Sequence, residues 1–201
     1  IAYIENYYGP KEIVISVAGN FEHGRLLELL EEAFGRLKRT GIPKKEIAPS
    51  FTPAITVRKK QLEQVQVCLG CGGIPYTHED RFVILALNTV LGNSMSSRLF
   101  QEVREQNALA YSIYSYVTAY RDTGLLTIYA GTDPTNTVQA IQLIMKELRK
   151  IKEDGITQAE ETRVKNQIKG NLVLSLESSN SHMSRIARQE IYFGKYLSVD
   201  D

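Results

Sequence analysis

Two runs rich in tyrosine, leucine and β-branched residues, 111–117 and 124–130, are separated only by the hairpin-length connection TAYRDT. This restricts the middle of the chain to an antiparallel strand pair. In the stretch SSRLFQEVREQNALAYSIYSY (96–116), Leu99, Phe100 and Val103 share one face of a helix that should fray near Gln106 and Asn107. Arg104 and Tyr111 therefore sit seven positions apart across a helix-to-strand junction, where they can converge. A guanidinium with its fork of donors and a phenol with one donor suit a peptide carbonyl, or the oxyanion that forms from it.

Residues 13–19 read as a buried strand, and the helix after them carries Leu26, Leu30, Ala33, Phe34 and Leu37 on one face, making a β-α unit. TGIPKKEIAPSFTPA (40–54) has three prolines and no periodicity, as a linker does. Strands are expected at 55–59 and 63–69, followed by a glycine-rich loop at 70–75. Thr77 and Asp80 have capping-box spacing ahead of RFVILALNTVL, a helix apolar nearly all round and so expected to be deeply buried; Gly92 and Asn93 stop it. Asp133 and Pro134 suit the start of a helix with Val138, Ile141, Met145, Leu148 and Ile151 inward, ended by Gly155. Thr157 and Glu160 form another capping box, opening a helix with Val164, Ile168, Leu172 and Leu176 in register, and a further helix spans about 182–193. Hairpin strands alternating with helices predict an α+β fold, an antiparallel or mixed sheet covered by helices on one face.

At 201 residues the chain has room for one or two domains, and 43% apolar with 23% charged residues is ordinary for a chain that buries a core. A net charge of +1 with no basic tract argues against nucleic acid, and no apolar run is long enough to span a membrane. Length and composition agree with a soluble globular piece; they leave its compartment unknown, the cytoplasm being the expectation and an organellar matrix the alternative. His23, His78 and His182 are isolated, and none has a partner at i, i+4 spacing, so no metal site can be written from them. Cys68 and Cys71 form a C-x-x-C within an alternating strand, which puts the thiols on opposite faces. The expectation is two buried or half-buried free thiols rather than a redox pair. GCGG (70–73) and LGNSMSS (91–97) lack phosphate-binding spacing and read as turns. Tyr111, Tyr114, Tyr116, Tyr120 and Tyr129 suit either an aromatic wall for an extended peptide or cross-strand packing.

SSRLFQEVRE, LAYSI, DTGLLTIYAGT, GIT and KNQIKGNLVLSLES, in this order between Ser96 and Ser178, resemble the C-terminal half of the inverted-zinc metallopeptidases. This is the family of pitrilysin, insulin-degrading enzyme and the mitochondrial processing peptidase, and the likeness is to its processing-peptidase type. There the catalytic half carries H-x-x-E-H, absent here, and the other half contributes an arginine and a tyrosine that hold substrate. Arg104 and Tyr111 fall on those two positions. Ser97 and Arg98 lie in the same motif, where a cap or an orienting role fits them as well as substrate contact does.

The resemblance implies a division into residues 1–39, closing the zinc-bearing half, a linker at 40–53, and residues 54–201, an inactive half incomplete at its C-terminus. The chain opens on Ile1 and stops where Ser198 and Asp201 have helix-starting spacing, as a truncated piece would. With its edge otherwise exposed, the strand at 13–19 is expected to dock on the second half's sheet or to pair between chains. The implied role is the substrate-binding, non-catalytic portion of a zinc metalloendopeptidase of clamshell form. Catalytic and metal residues are then none in this chain, and zinc belongs to the parent enzyme. Implied partners are a peptide or unfolded polypeptide substrate and the zinc-bearing half, with homo- or hetero-oligomers open, and neither nucleic acid nor membrane. Two other classes stand beside it: a scaffold or partner subunit of the same fold, and a thiol redox module on Cys68 and Cys71.

Overall fold

The computed structural model of the protein describes residues 2–37 and 47–198. The chain divides into two compact units, residues 48–170, and residues 1–47 with 171–201. In the first, β1 (Val65–Gly73), β2 (Ser112–Ala119) and β3 (Gly124–Thr132) form a sheet of order β1-β3-β2. Both pairings are antiparallel, with Tyr129 of β3 opposite Cys68 of β1 and Tyr114 of β2. The fold is therefore α+β with an antiparallel sheet. α3 (Arg81–Leu91), a π-helix (Phe100–Gln106) and α4 (Thr137–Asp154) cover one face. They bury Leu91, Leu99, Val103, Ile113, Ile128 and Ile144 in one cluster. Removing these side chains from water is the main stabilising term, about 1.5–3 kcal/mol for each fully buried aliphatic side chain. Along β2, Ile113 and Ser115 point into that core while Tyr114 and Tyr116 stay exposed, the period-2 alternation of a half-covered sheet.

Several expectations are corrected. β1 runs to Gly73, so GCGG is strand and not a turn. Glycine is used there for close approach: a Cβ on Gly73 would lie 2.8 Å from the Leu125 nitrogen. Cys68 and Cys71 are free and exposed rather than buried, and strand phase keeps them on opposite faces. No strand forms at 55–59, where Ile55 is 96% exposed, nor at 13–19, because the described residues give neither segment a partner strand. Within its own unit, Ser16 Oγ of the 13–19 segment donates to the Met183 carbonyl at 2.8 Å.

Only the last turn of α3, Asn88 to Leu91, is buried, and Phe82 and Val83 are exposed. Its N-cap Asp80 makes no side-chain cap; the Asp80 amide donates to His78 Nδ1 at 3.0 Å instead. α4 begins at Thr137, because the Asp133 carboxylate is occupied by the Thr135 amide and hydroxyl in a turn. Its buried positions are Ala140, Ile144 and Glu147, with Leu148 and Ile151 partly buried, whereas Val138 and Met145 are exposed. The inward face thus carries a carboxylate, paired with Lys150 Nζ at 2.6 Å. An apolar periodicity is blind to such a residue.

α5 (Gln158–Leu176) follows the expected pattern, with Val164 buried and Ile168, Leu172 and Leu176 half-buried. In the other unit lie α1 (Ala2–Tyr7), a 3₁₀ turn (Pro10–Glu12), α2 (His23–Phe34) and α6 (Ser179–Phe193). Glu22 caps α2 by accepting from the Gly24 and Arg25 amides, yet α2 buries no residue. Residues 40–46 of the expected linker, and Asp201 of the expected helix start, lie outside the described residues.

Candidate functional site

The site is built on the segment between α3 and β2. α3 is stopped at Gly92, whose amide donates to the Asn88 carbonyl. Ser115 locks that stop onto β2: its amide reaches the Gly92 carbonyl at 3.1 Å and its hydroxyl reaches Asn88 Oδ1 at 2.7 Å. The chain turns through Ser94, whose carbonyl accepts from the hydroxyl of fully buried Ser97 at 2.5 Å. Helix resumes at Arg98, and the Gln101 amide donates to the Ser97 carbonyl at 3.0 Å. Leu99 and Val103, both 0% exposed, fasten this helix to the core.

From Phe100 to Gln106 the helix is π-wound, a rare form that occurs disproportionately at functional positions. Burial of Leu99 and Val103 leaves Arg104 outward. Its guanidinium lies 4.8 Å from the centre of the Phe100 ring, and Nε is 3.6 Å from Glu105 Oε1. An exposed pair of that length is worth at most about 1 kcal/mol and leaves the donors free to exchange partners. The expected fraying near Gln106 and Asn107 is a defined closure. Asn107 Nδ2 donates to the Glu102 carbonyl, and the Ala108 and Leu109 amides donate to the Arg104 and Val103 carbonyls. Ala108 takes φ +50°, a left-handed conformation that suits glycine and costs alanine about 1 kcal/mol.

Tyr111 comes three residues later. Its amide donates to the Gly131 carbonyl at 2.9 Å, and its side chain is 63% exposed. It lies one residue outside β2, in phase with Ile113 and Ser115, and so on the rim of the face that the helices cover. Tyr114, Tyr116 and Tyr129 belong to the opposite face, where Tyr114 and Tyr129 stack at 4.9 Å between ring centroids. Among the described residues Arg104 and Tyr111 share no hydrogen bond, and the Tyr111 hydroxyl makes none.

Arg98 has a structural place. Its Nε and Nη2 meet Glu160 Oε1 and Oε2 at 2.7 and 2.8 Å, and Nη2 also reaches the Gly155 carbonyl at 3.0 Å. Glu160 in turn closes the α5 capping box, accepting from the Thr157 amide at 2.8 Å while its own amide donates to Thr157 Oγ1 at 3.2 Å. These bonds, the one from Arg98 first, lower the Glu160 pKa to about 2. The capping box was readable in sequence, but its third partner, 62 residues away, was not. Among the described residues no group of three or more His, Cys, Asp or Glu side chains can hold a metal ion, so no zinc site is built from them.

A family model described as the peptidase M16 inactive domain matches residues 1–168. The chain is 45% identical over 203 residues to the uncharacterized zinc protease YmxG of Bacillus subtilis, covering 99% of this chain and 48% of that protein. It spans about half the length of the curated relatives it matches. Among solved structures, the peptidase M16 inactive domain from Pseudomonas fluorescens aligns at a TM-score of 0.78 and 21% identity, over 87% of this chain and 42% of that one. A chain of Complex III2 from Candida albicans aligns at 0.73 and 24% identity, over 90% and 45%. The fold is thus shared between a peptidase domain and a subunit of a larger assembly. With a family model matched over most of its length and a 45% identical relative along nearly all of it, the chain belongs to the peptidase M16 family as an inactive domain.

Proposed function

We propose that this chain is the substrate-holding, non-catalytic portion of a zinc metalloendopeptidase of processing-peptidase type, with Arg104 and Tyr111 as the groups that hold the peptide backbone. The observation that carries this is the outward pair of donors at the end of a π-helix. Arg104 stands on that helix and Tyr111 on the sheet rim, joined by a closure in which Ala108 has φ +50°. Strain of that kind persists where a local geometry is over-determined by its surroundings. Both groups remain accessible, as donors for an incoming carbonyl must be.

Zinc and the residues that bind it belong, in this proposal, to a second half-domain with which this one pairs across a cleft. Closure of that cleft would bring Arg104 and Tyr111 to a substrate already lying as an added strand in the other half. Substrates are then peptides or unfolded polypeptides recognised largely through the main chain. No helix among the described residues is long and apolar enough to cross a membrane. The Bacillus and Mycobacterium relatives give no support to an organellar matrix.

The test is kinetic and uses the full-length protein. Tyr111→Phe and Arg104→Ala are expected each to lower kcat/KM while zinc content and fold stay intact. The loss should be on the order of 10²-fold or more if the contact is made chiefly in the transition state, and smaller, confined to KM, if it serves uniform binding. Unchanged kcat/KM in both variants would sink the proposal and leave a scaffold or partner-subunit role.

A further inference from the structure

We infer that Arg98 is a positioning residue for Arg104, clamping the start of the π-helix to the turn between α4 and α5; this rests on the reading of Arg104 as a substrate-holding group. The clamp has three bonds from one guanidinium, two to the Glu160 carboxylate and one to the Gly155 carbonyl. The Glu160 carboxylate is itself fixed from its other side by the Thr157 amide and hydroxyl, at 2.8 and 3.0 Å. A second tie runs alongside, from Arg163 Nη2 on α5 to the Ser96 carbonyl at 3.3 Å.

These bonds hold the backbone at 96–98 against a rigid helix end. Arg98 and Glu160 are largely buried, 17% and 13% exposed, so the pair is shielded from the solvent that weakens surface ion pairs. Leu99 and Val103 fix the helix on its core side, and Asn107 ties its end. Beside the Arg163 tie and the bond from Gln101 Nε2 to the Met95 carbonyl at 2.7 Å, the fork at Arg98 is the charged, shielded contact that sets how far round and how far along the helix axis Arg104 emerges. A lysine keeps the charge but cannot span both carboxylate oxygens and the Gly155 carbonyl at once, because an ammonium is a point donor without a planar fork.

The experiment is a double-mutant cycle on kcat/KM in the full-length protein, with zinc content measured throughout. Arg98→Lys should lower kcat/KM about tenfold, since small misplacements of a substrate-holding group are costly. In an Arg104→Ala background the same change should cost less than about twofold, because the group being positioned is gone. Glu160→Gln, which keeps the side-chain volume, should repeat this coupling and serves as the readout should Arg98→Lys fold poorly. An unchanged kcat/KM in both Arg98→Lys and Glu160→Gln overturns the inference. So does an equal loss in both backgrounds, which is the mark of a purely structural tie. If Arg104→Ala itself changes nothing, the reading of Arg104 as a substrate-holding group fails and takes this inference with it; if Arg104→Ala is harmful but the clamp variants are not, this inference alone fails.

Discussion

Replacing glycine by alanine at Gly92 and at Gly170 should move stability in opposite directions, and the structure sets both magnitudes. A Cβ at Gly92 would lie 2.6 Å from the Ser115 nitrogen, 2.6 Å from its Oγ and 3.0 Å from its Cβ. The nearest atoms include backbone, so the end of α3 or strand β2 must move by the better part of an ångström. Overpacking of that kind costs about 1–3 kcal/mol. The shift also strains the bonds from Ser115 to the Gly92 carbonyl and to Asn88 Oδ1, each worth about 1 kcal/mol. The sum is about 3–5 kcal/mol, a large part of what a domain this size has. At Gly170, within α5, nothing lies within 4 Å of the new Cβ, and alanine should add about 0.5–1 kcal/mol through helix propensity and a less free unfolded chain. Urea unfolding followed by circular dichroism, with amide exchange on β2 as a local probe, measures both. A Gly92→Ala variant within 1 kcal/mol of the parent, or a Gly170→Ala variant that loses more than Gly92→Ala, would refute the packing described for the α3–β2 junction.

Glu160 gives a pH signature. Its folded pKa is depressed to about 2 from 4.5, so its stabilising contribution is fully present above about pH 4.5 and is lost as pH falls toward 2. Wild type should lose its advantage over Glu160→Gln across that window, an advantage of about 2 kcal/mol at neutral pH once solvent screening is allowed for; parallel pH–stability curves would contradict it. Ala108→Gly should raise stability by up to about 1 kcal/mol by relieving the left-handed conformation, and an unchanged urea midpoint would show that the strain is absent. The isolated chain should carry no stoichiometric zinc and hydrolyse no peptide, since its three histidines are scattered; one tightly held zinc per chain, removed together with an endopeptidase activity, would overturn this.

The parts of the fold that local signals specify were legible. The β2–β3 hairpin follows from its two runs and short connection, and α5 follows from a capping box and a four-residue stripe, Val164 to Leu176, that the structure places inward. What was misread depends on long-range partners. The run at 55–59 alternates like a strand, but alternation does not supply a neighbour to pair with. RFVILALNTVL is apolar all round, yet only its last turn meets β2. The inward face of α4 includes Glu147, whose burial rests on Lys150 one turn on, so a reading of apolar spacing alone selected Val138 and Met145 instead. For the site, the seven-residue spacing of Arg104 and Tyr111 and the family motifs around it were readable. The π-winding, the left-handed Ala108 and the grip of Glu160 on Arg98 were not, because each arises from packing and from segments distant in sequence.

The most direct measurement of the central claim is the structure of the full-length protein with a bound peptide substrate, held unreacted. The expected result is the Arg104 guanidinium and the Tyr111 hydroxyl both within about 3 Å of oxygens on the peptide main chain. A peptide bound in the closed protein with either group turned away from it and hydrogen-bonded elsewhere would contradict the assignment of this chain as the substrate-holding half.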